Sequence, residues 1–79
     1  MTLELYTRVG CDLCEQMLEA VLPLIRGRAK LTLVDIDQDA DLRQRFDTRL
    51  PVLCAGEDEL MAGQFDRGAL IQWLVSQQV

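Results

Sequence analysis

A chain of 79 residues is long enough for one domain with one core and too short for two, so residues 1–79 are read as a single unit. With 49% of residues apolar and 27% charged, the composition is that of an ordinary soluble globular protein and leaves no room for a long disordered region. Acidic residues outnumber basic ones by 13 to 8, and the resulting charge of -5 repels phosphate backbones, so nucleic acid is not expected as a partner.

From the start of the chain, Thr2 to Tyr6 places Leu3 and Leu5 on one side and Glu4 and Tyr6 on the other, the alternation of a strand that can be central or at an edge. Gly10 breaks the pattern. From Asp12 onward Leu13, Met17, Val21 and Leu24 recur at helical spacing, with Leu18, Leu22 and Ile25 beside them. Pro23 lacks an N–H and crowds the preceding turn, so it should kink this helix or end its regular part, and Gly27 offers a left-handed terminal residue. The longest apolar stretch, Ala20 to Ile25, falls far short of the roughly 20 residues of a membrane helix. No charged segment precedes an apolar run at the start, so a cytoplasmic location without a membrane partner is expected.

Lys30 to Ile36 is rich in β-formers and reads as a second strand, buried on at least one face and joined to the first in a right-handed βαβ unit. Asp37 or Asp39 can cap a short helix carrying Leu42 and Phe46. After Leu50-Pro51, the segments Pro51 to Ala55 and Glu59 to Ala62 flank Gly56-Glu57-Asp58 as an antiparallel hairpin. Asp66 suits the N-cap of a final helix whose Leu70, Ile71, Trp73 and Leu74 form an apolar stripe. Trp73, Phe46 and the methionines are assigned to the core or its margin. The order is therefore β-α-β-α-β-β-α, an α/β arrangement with a four-stranded mixed sheet flanked by helices.

Three cysteines are too few for a disulfide scaffold, which points to chemistry or metal instead. In Cys11-Asp12-Leu13-Cys14 the thiols stand three apart where a strand and loop give way to a helix, close enough to bridge. The free N–H groups and partial positive charge of a helix N-terminus favour a thiolate at Cys11, the nucleophile, with Cys14 one turn behind as the resolving thiol. Arg8 supports that anion, whereas Asp12 and Glu15 oppose it. The plainer reading is two small buried residues at a helix start. The same spacing supplies half of many zinc sites, but Cys54 is the one further thiol and histidine is absent, so a four-ligand site needs a carboxylate or a second subunit. No metal ligand is assigned. Cys54, on the strand after Pro51, is read as a buried filler.

Three segments together, Leu5-Tyr6-Thr7-Arg8-Val9-Gly10-Cys11-Asp12-Leu13-Cys14-Glu15, Leu50-Pro51-Val52-Leu53 and Gly63-Gln64-Phe65-Asp66, make the chain resemble the small bacterial glutaredoxin-like proteins. The resemblance spans almost the whole chain and implies a thioredoxin-like fold of the minimal glutaredoxin type, with dithiol–disulfide exchange. It implies that Pro51 is cis beside the redox cysteine, leaving the backbone of Leu50 to pair with an extended peptide or glutathione by strand addition. The alternative is a trans proline opening an edge strand. By the same resemblance Gly63 and Asp66 hold the γ-glutamyl end of glutathione, and Arg8 or Arg49 meets its other carboxylate. Asp66 also has a purely capping role open to it, and Arg43, Arg45 and Arg49 can form a solvated face.

The expected activity is thus a thiol–disulfide oxidoreductase, a monomer that reduces protein or glutathione mixed disulfides at Cys11 and Cys14. No cofactor is expected to be bound; glutathione is a candidate co-substrate. Two other classes fit the residues: a binding module that keeps the fold without redox turnover, and a dimer that carries a metal or an iron–sulfur cluster.

Overall fold

Alternation decides the layers. In the first strand, β1 (Thr2–Thr7), Leu3 and Leu5 are fully buried while Glu4 and Tyr6 face the other way and are half-buried. The computed structural model describes residues 1–77. β1 is followed by α1 (Asp12–Ile25), β2 (Lys30–Asp35), a 3₁₀ turn (Ile36–Gln38), α2 (Ala40–Phe46), β3 (Val52–Ala55), β4 (Asp58–Ala62) and α3 (Arg67–Ser76). The strands form one sheet in the order β2-β1-β3-β4. β1 runs parallel to β2 and antiparallel to β3, and β3 pairs antiparallel with β4. This is the mixed sheet read from the sequence, with β1 central.

The sheet separates two apolar clusters. On one face Leu3, Leu5, Leu53 and Met61 meet Met17, Val21 and Ile25 of α1 and Leu70 and Leu74 of α3. On the other, Val52 and Cys54 join Ile36 and Phe46, with Tyr6, Leu42 and Leu50 packed at the margin. Leu53 and its neighbours Val52 and Cys54 thus serve opposite faces, as the two-residue period of a strand requires. Tyr6 and Phe46 stack with ring centroids 4.4 Å apart, fixing α2 against β1.

Caps mark the helix starts. Asp39, not Asp37, caps α2, its carboxylate accepting from the N–H groups of Asp41 and Leu42. Asp66 caps α3 by accepting from Ala69 at 3.0 Å. Gly27 takes the left-handed conformation (φ 76°) just past α1, and the N–H groups of Arg28 and Ala29 close on the Ile25 carbonyl.

Three expectations are corrected. Of the two outcomes expected at Pro23, ending the regular part of α1 is the one overturned, since the helix runs on to Ile25. Pro23 is exposed, and the carbonyl its missing N–H leaves free is that of exposed Glu19, which water can satisfy. β2 ends one residue early and has no buried residue: it is an edge strand, so the helices packed over the sheet's centre leave Leu31, Val34 and Asp35 only half covered and Leu33 54% exposed. Met1 is exposed, although Met17 and Met61 are in the core, because it precedes β1 beyond the reach of the helices.

Candidate functional site

The site is assembled at one end of the sheet. β1 delivers the chain to the turn at Arg8–Gly10, where Gly10 adopts φ 81° and the Cys11 N–H donates to the Arg8 carbonyl. Cys11 is the N-cap of α1, with extended backbone, and its Sγ accepts from the Cys14 N–H at 3.1 Å. The two sulfurs are joined as a disulfide, with their Cα atoms 5.2 Å apart. Cys14 is only 2% exposed, whereas Cys11 is half-buried. The pair is therefore asymmetric, with Cys11 partly open to solvent and Cys14 enclosed under the first turn of the helix.

β3 starts at the same end. Its register with β1 pairs Val52 with Tyr6, which sets Pro51 level with Thr7, where the loop to Cys11 departs. The Leu50–Pro51 peptide bond is cis, in agreement with the sequence resemblance. Among the described residues none hydrogen-bonds to the backbone of Leu50. The Pro51 carbonyl accepts from Gly63 at 2.7 Å, which draws the Gly63–Asp66 segment against the proline. A groove of about 520 Å³ then runs between α1 and this segment, lined by Leu13, Gln16, Met17, Gly63, Gln64 and Phe65 among others. A second, of about 280 Å³, lies on the β2 side of the pair, where Val9, Cys14, Glu15, Leu18 and Leu33 contribute to its wall.

The two arginines singled out from the sequence are already paired. Arg8 donates to both carboxylate oxygens of Asp37, Nη2 to Oδ1 at 2.9 Å and Nε to Oδ2 at 3.2 Å, and its Nη1 lies 2.7 Å from Asp47. The hydrogen bond from Arg8 holds the Asp37 carboxyl below its ordinary value. Arg49 pairs with Glu59 and lies with Tyr6, Arg45, Phe46 and Cys54 in a groove of about 650 Å³ on the α2 face of the sheet, away from the redox pair. Cys11, Cys14, Leu50, Pro51 and Gly63 thus gather around one end of the sheet, with Asp66 at the start of α3, while Arg49 lines a different surface.

Asp37, Asp47 and Glu59, the partners of these arginines, were not legible, because no local pattern announces charge pairs between residues that lie 10 positions or more apart in the chain. Leu13 and Phe65 as groove walls had a signal in hand, since each lies inside one of the quoted motifs. Among the described residues no three His, Cys, Asp or Glu side chains converge to hold a metal. No helix among them is long and apolar enough to cross a membrane.

Comparison with known proteins agrees with this geometry. The family model described as "Glutaredoxin-like domain (DUF836)" matches residues 2–75. A solved structure of the structural-genomics target XcR50 from X. campestris is 38% identical with TM-score 0.73, covering 94% of this chain and 96% of its own. A structure described as that of a malarial protein shares 20% identity at TM-score 0.62, over 99% of this chain and 97% of that one, and bears on the fold alone. No curated protein matches the sequence.

Proposed function

From the premise that this chain belongs to the glutaredoxin-like domain family, a branch of the thioredoxin superfamily, we propose that it is a thiol–disulfide oxidoreductase acting through Cys11 and Cys14. The observation that carries the reading is the bridged pair at the N-terminus of α1, Cys11 half-buried with its sulfur accepting from a helix N–H, Cys14 enclosed. That N–H and the positive end of the helix favour negative charge on the Cys11 sulfur.

In the reduced protein the Cys11 thiolate attacks one sulfur of a substrate disulfide. A Cys11–substrate disulfide forms as the substrate's own S–S bond breaks, and the other half leaves as a thiolate. Cys14, one helical turn behind and losing its proton to solvent, then attacks Cys11. The Cys11–Cys14 bond forms, the second substrate thiolate departs, and two electrons have passed from the dithiol to the substrate. An external thiol, glutathione or a protein dithiol, regenerates the pair by the reverse exchange.

The backbone of Leu50, with no hydrogen-bond partner among the described residues, suits an extended segment added as a short strand next to Cys11. The family resemblance assigns Gly63, which lines the groove beside α1, and Asp66, which also caps α3, to the same binding surface. Of the two candidate arginines, Arg8 shares a groove with Cys14 whereas Arg49 lines another, and a carboxylate reaching Arg8 competes with Asp37 and Asp47. The working form is a monomer with a protein disulfide or glutathione as its partner, and the cytoplasm, where thiols are kept reduced, is the compartment in which the dithiol turns over.

A redox titration read by mass spectrometry tests this: a reversible loss of two hydrogens at Cys11 and Cys14 is expected within the range of cellular thiol couples. Cys11→Ser should abolish reduction of a disulfide substrate, and Cys14→Ser should accumulate the mixed disulfide at Cys11. If Cys11→Ser retains full activity, or no intramolecular bond forms, the proposal fails.

A further inference from the structure

The surface that surrounds the redox pair carries a chemical bias that exchange itself does not require. Val9 is 87% exposed, Leu13 54% and Leu33 54%, so apolar side chains stand on both flanks of the Cys11–Cys14 bond and are left to water. They continue into the two grooves beside it, through Leu18 on one side and Met17 and Phe65 on the other. A partner that covers them gains hydrophobic burial on either side of its own sulfur.

The charges are one-sided. Asp12 and Glu15 occupy the first turn of α1, next to the cysteines. Arg8 is the one cation among the residues that line either groove, and its guanidinium is held between Asp37 and Asp47. Two carboxylates around one arginine, with two more on the helix turn, leave the rim acidic. An anionic ligand has to displace an intramolecular partner from Arg8 and then sit against Asp12 and Glu15. A cationic one meets no such competition.

We propose that the disulfide partner selected at this site is a peptide segment of a protein, its cysteine flanked by apolar residues and by lysine or arginine, in preference to glutathione disulfide, whose carboxylates outnumber its ammonium groups. This inference rests on the exchange reading and names the substrate class of that same site. The apolar flanks seat on Val9, Leu13 and Leu33, the basic side chains reach Asp12 and Glu15, and the extended backbone lies along Leu50. Because the charges are exposed, their effect is on encounter and is screened by salt.

The experiment uses the reduced full chain, freed of excess dithiothreitol, and three substrates. Two are peptides of equal length, each with one cysteine held as a mixed disulfide with 2-mercaptoethanol and flanked by leucine together with either two lysines or two glutamates. The third is oxidised glutathione. Second-order rates are read by acid quench and mass spectrometry, and each is divided by the rate of the same disulfide with dithiothreitol, which removes intrinsic reactivity. The lysine peptide should react at least about tenfold faster than either competitor at low salt, within the usual range of electrostatic steering. The advantage should shrink in high salt and in the Asp12→Asn/Glu15→Gln double variant, and if that variant fails to fold the salt series on the unaltered protein gives the same reading. Equal rates, or a faster glutamate peptide or glutathione, overturn the preference and leave exchange standing. No reaction with any of the three overturns both.

Discussion

Cys54 shows what one side chain's surroundings do to its chemistry. The thiol is 6% exposed on β3, in the cluster that holds Val52, Ile36 and Phe46. Burial raises its pKa, and the nearby carboxylates of Glu59 and Glu4 add to the shift. It therefore stays protonated when an ordinary thiol begins to ionise, and it is a poor competitor for disulfides beside the helix-capping Cys11. The linkage has a definite sign. The folded chain holds this proton to higher pH than the unfolded chain, so the stability it supports is complete below the ordinary thiol range and declines as pH rises through it. The urea midpoint of the oxidised protein should fall between about pH 7 and pH 10, and the fall should be shallower in Cys54→Ala, in which the unfolded state has lost the group that ionises. Parallel pH profiles for the two proteins would show that the thiol does not contribute.

The elements follow their local signals closely, and α1 shows where such a signal is outweighed. Proline in a helix interior costs about 3 kcal/mol relative to alanine, enough on propensity alone to stop a helix. Met17, Val21 and Ile25 nonetheless bury one continuous face against the sheet, and the residues after Pro23 include Ile25, which is 2% exposed. Keeping Ile25 in the core outweighs a penalty that solvent partly relieves at an exposed turn. Pro23→Ala should thus stabilise the protein by about 1–2 kcal/mol in urea unfolding, less than the full helix-interior figure because proline also restricts the unfolded chain. A loss of stability would mean that Pro23 makes a packing contribution of its own. Spacing exposed the helix and put Met17 and Val21 on its apolar stripe, but it also put Leu13 there, which is 54% exposed, and set the buried Ile25 beside the stripe; it did not weigh Ile25 against Pro23, because that balance depends on what the sheet offers to cover.

For the molecule as a whole, the redox bond and the core are separable. Cys11 and Cys14 are three residues apart, and both apolar clusters are built from residues that the bridge does not join across the sheet. A loop this short removes little entropy from the unfolded chain, about 2 kcal/mol on the chain-entropy estimate. Reduction should accordingly lower unfolding stability by about 2 kcal/mol or less while leaving the far-ultraviolet circular dichroism unchanged. Collapse of the fold on reduction would show that the bridge is structural, and the exchange cycle would then have no stable reduced state to start from.

What the amino-acid order settled by itself is whatever a few neighbouring residues encode. Leu3 and Leu5 alternate with Glu4 and Tyr6, Met17 and Val21 recur at helical spacing, Asp66 precedes a helix, and the cysteine pair sits where a strand turns into one. These are properties of the backbone's own periods and of helix ends, and they need no distant partner. The tertiary structure decided the matters of choice between distant partners: that β1 is central and β2 an edge, that Leu50–Pro51 is cis, that Gly63 closes on Pro51, and that Arg8 is taken by Asp37 and Asp47. An exposed arginine has several carboxylates within reach along a chain of this composition. Which of them it meets depends on where the packed sheet brings the 3₁₀ turn and the end of α2, a distance no local pattern carries.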